Sequence, residues 1–174
     1  MAYPEMIEMD YKDIGKTRFI GAAALFTGGD AWDPEIWVRQ WKEADAYRDT
    51  LSNLLGQYGI ESLKYPCSLV YTDNEKLEEA KVYYIAGHFF RQDTPVPEGL
   101  QYCDIETTMV GFALFHNQHD HKDLEDTYTA TRDRILSDGH FIPYPKGYWN
   151  AEVHTTGRTI GEEVDFGYMF PVQS

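Results

Sequence analysis

The chain has 174 residues and a net charge of −14 at pH 7, a length that suits one domain with a sizeable core. The charge opposes direct binding to nucleic acid, whose phosphates need basic patches. Two cysteines, Cys67 and Cys103, make neither a disulfide framework nor a metal knuckle, and no apolar run approaches the ~20 residues of a membrane span. With no leader-like segment among the acidic first residues, the expected setting is cytoplasmic and away from membranes.

The first strand-like run covers 17–26 and ends at Gly28-Gly29. A helix follows, with Asp33 as a cap and Pro34 in its first turn. Its apolar stripe is Trp37, Trp41, Ala44, Leu51 and Leu55, and Gly56 or Gly59 ends it. Strand-like runs at 67–72 and 81–90 flank a polar loop, and a Pro-rich connector spans 91–100. The order then repeats: a strand over about 102–116, a helix over about 121–137, and strands at about 148–155 and 163–172. The helix stripe is Leu124, Tyr128, Thr131 and Ile135.

The chain therefore reads as a duplicated β-α-β-β unit, with modules at about 15–90 and 101–173 and a linker at 91–100. The expected fold class is α+β: an antiparallel sheet with two helices on one face, related by a pseudo-twofold. Such a layer leaves a groove between its helices, where small-molecule sites tend to lie.

Aromatic residues make up 15% of the chain, and its 13 Tyr outnumber its 9 Phe. Tyr rings give apolar area with a hydroxyl handle, so they suit a core or a cavity wall equally. Within Tyr148–Thr155, alternation puts Trp149, Ala151, Val153 and Thr155 on one face and Asn150, Glu152 and His154 on the other. Glu152 therefore faces either water or a cavity. In a cavity its charge must be answered, and a ligand can answer it. His154, two residues on, is a candidate acid/base partner.

The residues resemble the GyrI-like, or AraC-type effector-binding, family. The likeness rests on Val96-Pro97-Glu98-Gly99-Leu100, Phe112-Ala113-Leu114-Phe115 and Leu124-Glu125-Asp126-Thr127-Tyr128. It also rests on Ser137-Asp138-Gly139-His140, Glu152, Met169-Phe170-Pro171-Val172, a Trp at 37 or 41, and Tyr84-Ile85-Ala86-Gly87. The resemblance implies a stand-alone binder of hydrophobic, planar, cationic compounds, of the multidrug-binding or sensing type and related to transcription regulators. It implies a central aromatic-lined cavity holding an acid. Two other roles exist on this scaffold: hydrolysis of strained electrophiles such as cyclopropane-bearing DNA alkylators, and gyrase inhibition through a protein interface. The chain departs from the family's habits at His119-Asp120-His121, where a Gly is common, and at His154, where a Tyr is common.

Glu152, Tyr128 and Tyr168 are the first candidates for the cavity, with Trp41, Trp37, Tyr71, Tyr84 and Phe112 behind them. Trp37 and Trp41 do not point the same way along the groove, and spacing does not choose between them. Each aromatic alone fits core packing equally well. If the chain is an enzyme, Glu152 is the residue that would position or activate water. No metal is expected, since His116, His119, Asp120 and His121 follow no recognised ligand spacing. No cofactor is expected either: there is no phosphate-cradling Gly loop and no Gly-x-Ser-x-Gly elbow.

Overall fold

A computed structural model of the chain describes residues 4–27, 34–63, 65–72, 81–117, 121–143, 149–154 and 164–174. Along the chain these form β1 (Glu5–Asp13), β2 (Thr17–Thr27), α1 (Pro34–Asp45), α2 (Arg48–Tyr58), β3 (Cys67–Thr72), β4 (Lys81–Arg91) and β5 (Gln101–Ile105). There follow β6 (Met109–Asn117), α3 (His121–Asp138), β7 (Ile142–Pro143), β8 (Asn150–His154) and β9 (Val164–Gln173). A single 3-10 turn at Glu61–Leu63 precedes β3. The class is α+β with an antiparallel sheet, as the alternating strand and helix signals require.

The sheet runs β1-β6-β9-β8-β3-β4-β2-β5, with β7 paired to the end of β9. This order is symmetric about the β8–β3 junction: β6-β9-β8 mirrors β2-β4-β3. The leading strands are exchanged. β1 runs into β2 along the chain but pairs with β6, and β5 runs into β6 but pairs with β2. Each half therefore completes the other's edge, and one sheet results.

Three differences from the expected elements have local causes. The residues before Thr17 form an edge strand, β1, whose Glu5, Glu8, Asp10 and Asp13 break any apolar run. An edge strand tolerates, and is protected by, such charges. The strand expected over 102–116 is two strands, β5 and β6, interrupted after Ile105. The first helix is also two: i→i+3 bonds from Ala46 N–H to Glu43 O and from Tyr47 N–H to Ala44 O tighten the chain, and it restarts at Arg48. At that break the Tyr47 hydroxyl lies against Gly99, which adopts φ +86; a Cβ there would lie 2.5 Å from that hydroxyl.

All the helices lie on one sheet face. The register Ala113–Tyr168–Glu152–Ser68–Ala86–Ala22 crosses six strands, so these residues share a face. At one end of that row Ala22 and Ala86 pack with Ala44 and Leu51 of α1 and α2. At the other, Tyr168 packs with Leu124 and Ile135 of α3. The opposite face carries the larger cluster, including Phe19, Leu69, Ile85, Phe89, Phe112, Ala151, Val153 and Met169. Both faces of the central strands are thus buried, and neither is a wet face.

The β1 edge is tied to α3 by the Tyr11 hydroxyl, which donates to Asp138 Oδ2 at 2.8 Å, while Arg134 Nε donates to Asp138 Oδ1 at 2.8 Å. Burial, then the bond to Asp138, pushes the Tyr11 phenol up to about 12. The bonds from Tyr11 and Arg134 hold the Asp138 carboxyl below its usual range. The raised phenol contributes stability that is whole below its unfolded value of about 10 and lost as pH rises through about 12. The lowered acid contributes stability that is present above its unfolded value and lost as pH falls through the folded one. Tyr11→Phe is expected to lower the melting midpoint, and by the same amount throughout about pH 5–9, which melts at three pH values would check.

Candidate functional site

The helices' main contacts with the sheet fall on the outer strands: α1 on β2 and β4, α2 on β4, α3 on β6 and β9. The central pair, β3 and β8, forms the floor between the two helical layers. This short strand pair places Glu152 opposite Ser68 on one side and Tyr168 on the other. The period-two alternation of β8 holds: Trp149, Ala151 and Val153 belong to the far-side core, and Glu152 and His154 face the floor.

The Glu152 side chain is 13% exposed, against 4% for His154. That is too little for a solvated strand glutamate, yet enough to meet a ligand. His154 Nε2 lies 3.5 Å from Glu152 Oε2 and 3.4 Å from Ser68 Oγ. The Tyr84 hydroxyl donates to Ser68 Oγ at 2.8 Å. A polar string therefore runs Tyr84–Ser68–His154–Glu152 across β4, β3 and β8, through buried surroundings where unpaired polar groups are costly.

Aromatic rings from α3 and β9 wall one side. Tyr128 sits edge-on to Tyr168 at 5.4 Å between centroids and edge-on to Phe170 at 4.9 Å. Phe166 extends the row and stacks on the His154 ring at 6.4 Å. Burial, then the negative charge of Glu152, drives the Tyr168 phenol well above its ordinary range. Tyr168 therefore stays neutral beside the carboxylate. Burial also raises the Tyr128 phenol, against the opposing pull of Arg132.

The structure brings together four of the sequence candidates: Glu152, Tyr128, Tyr168 and Tyr84. It places two others elsewhere. Tyr71 packs against the far-side cluster and stacks on Tyr83 at 4.6 Å. Phe112 is a fully buried member of that same cluster. Each is one residue out of phase with the floor: Val70 and Ala113 hold the floor-side positions of their strands. Trp37 and Trp41 both belong to α1, but their side chains lie outside the described residues. His116 pairs with Asp165 at 2.7 Å, while His119 and Asp120 and the His121 side chain lie outside the described residues. Ser68 was missed. Its only signal is a polar residue in an apolar strand, and its place opposite Glu152 depends on strand pairing.

The class defined here is a duplicated α+β layer: one antiparallel sheet, helices on one face and an acid on the floor between them. No protein-family model matches the sequence, and no curated protein matches it. Solved structures do. The structure of SAV2435 bound to tetraphenylphosphonium superposes with a TM-score of 0.59 at 14% identity, covering 97% of this chain and 95% of that one. The C-terminal domain of EcmrR gives a TM-score of 0.52 at 14% identity, covering 96% and 98%. A hydrolase encoded by lin2189 from Listeria innocua gives 0.54 at 10% identity, covering 98% and 94%. At these identities the likeness establishes the shared fold.

Proposed function

We propose that the chain binds hydrophobic, planar, cationic small molecules in the groove over β3 and β8, as a multidrug-binding or sensing domain does. The observation that carries this is Glu152, a carboxylate set between buried partners and an aromatic wall, with its charge open to the groove. A lipophilic cation answers both features, by charge against the acid and by its faces against Tyr128 and Tyr168. The tetraphenylphosphonium bound by SAV2435 on the same fold is a molecule of that kind. In this reading residues 1–174 work as one cytoplasmic binding domain of two modules, about 15–90 and 101–173, joined by 91–100. α1 supplies the second wall through Trp37 or Trp41. The acidic surface leaves no part for nucleic acid.

The test is a titration of intrinsic fluorescence with rhodamine 6G. Saturable quenching, reduced in Tyr128→Ala, supports the proposal; quenching that stays linear in dye overturns it. Running Trp37→Phe and Trp41→Phe beside the wild type identifies the wall residue, because only the tryptophan facing the dye should take most of the quenching with it.

A second reading has its own observation. His154 lies within 3.5 Å of both Glu152 and Ser68, so a base, an acid and a hydroxyl meet on the floor. A hydrolase acting on strained electrophiles would use Glu152 to hold water and the rings to stabilise developing positive charge. The shared fold of the Listeria innocua hydrolase fits that reading. Incubation with a strained electrophile separates the two: a hydrolase releases product over many turnovers, whereas a binder returns the compound unchanged.

A further inference from the structure

We infer that the groove takes its cation in exchange for a proton on His154. This rests on the cation-binding reading above and specifies how that site is regulated. Among the described residues, His154 is the imidazole that reaches Glu152, with an unperturbed value of about 6.5; His88 lies on the same sheet face, on β4 beside Ala86. Its Nε2 is 3.5 Å from Glu152 Oε2, and its side chain is 4% exposed. The ring stacks on Phe166 and has Ser68 Oγ 3.4 Å from Nε2, and the residue's backbone N–H donates to Pro66 O at 2.9 Å.

Two states of the floor follow. With a protonated imidazole, the internal cation and Glu152 neutralise each other. An incoming organic cation then meets a site whose anion is already answered, and must share it with a second positive charge in poorly solvated surroundings. With a neutral imidazole protonated on Nδ1, Nε2 can accept from the Ser68 hydroxyl, which itself accepts from Tyr84. Glu152 is then free to meet the ligand. The Tyr84–Ser68 arm, by directing the Ser68 proton at Nε2, favours this second state, so residues of β3 and β4 bear on the proton of His154.

Other ionisable groups of the described residues lie on the elements over this face, His88 of β4 among them. On β9, Tyr168 is kept neutral by burial and by Glu152. On β4, the Tyr84 hydroxyl donates to Ser68 Oγ. On α3, burial raises the Tyr128 phenol against the opposing pull of Arg132. The first turns of α3 add Asp123, which is buried, and Asp126. His116 and Asp165, at the same end of the sheet, are paired with each other at 2.7 Å.

The experiment uses tetraphenylphosphonium as cation and triphenylphosphine oxide as a neutral counterpart, titrated by calorimetry from pH 5 to 8.5. Below the His154 midpoint the wild-type dissociation constant for the cation should rise about tenfold per pH unit, because only the deprotonated fraction binds. The neutral compound should show no such slope, and His154→Gln should bind the cation with a flat profile. The imidazole resonance of His154 supplies a readout that needs no variant. Saturating tetraphenylphosphonium should lower its midpoint by about one pH unit or more, by reciprocity of linkage. A flat wild-type profile, or a His154 midpoint that the cation leaves unmoved, overturns the exchange. Absence of cation binding at every pH in every variant overturns the binding reading itself, and the exchange with it.

Discussion

Glu152→Gln is expected to weaken the binding of a lipophilic cation by about 10- to 100-fold. A hydrogen bond to a charged group contributes roughly 1.5–3 kcal/mol, and 1.4 kcal/mol is about a factor of ten in affinity. The substitution is isosteric and keeps an acceptor opposite Ser68 and Tyr168, so it removes charge with little change of shape. At 13% exposure the lost charge is poorly screened by salt, so the effect should persist at high ionic strength. Folding should change little by comparison. The glutamine loses the attraction to His154 but also relieves a carboxylate of its partial desolvation. Calorimetric titration beside thermal melts checks this. A large affinity loss with a midpoint within a few degrees of wild type is the expected outcome.

Gly167→Ala is expected to damage fold and site together. A Cβ at Gly167 would lie 1.7 Å from the carbonyl oxygen of Ala113 and 2.9 Å from Leu114 Cα. Both obstacles are backbone atoms of β6, so no side chain can swing aside, and β9 must part from β6. Forced overpacking costs about 1–3 kcal/mol and occasionally more, and this position belongs at the upper end. The residue that follows is Tyr168, so the displaced strand carries the aromatic wall with it and cation affinity should fall as well. Gly111→Ala is the matched control: its Cβ would meet side-chain atoms, not backbone, with Cδ1 and Cγ1 of Ile135 at 2.8 and 3.1 Å and Cγ1 of Val172 at 3.5 Å. Urea unfolding with unchanged slope should show Gly167→Ala losing clearly more stability than Gly111→Ala.

What could be read in the sequence was what is local. The two-residue alternation of a strand is a property of the strand alone, so the faces of Trp149, Glu152 and His154 were legible before any fold was known. The inner stripe of α3 was legible for the same reason, from Leu124 through Ile135. The duplication showed in the recurring order of strands and helices, because each half must bury its own helix. The pairing of strands did not show. Ser68 carries no signal of its own, because a serine in β3 gains meaning only once β8 lies beside it. Alternation alone leaves Tyr71 and Phe112 as cavity candidates, because it says which residues share a face, not which face the helices cover. The exchange of β1 and β5 between the halves has the same origin. A charged edge strand carries no apolar pattern, and its partner lies about a hundred residues away, at Glu5 against His116.

The measurement that bears most directly on this account is the ratio of two affinities, for tetraphenylphosphonium and for neutral triphenylphosphine oxide, in wild type and in Glu152→Gln at one pH near 8. An acid-floored aromatic groove predicts that the wild type prefers the cation, and that the glutamine variant loses this preference while keeping its affinity for the neutral compound. Equal ratios in the two proteins would contradict it, since the groove would then be reading shape alone and the carboxylate of Glu152 would play no part in recognition.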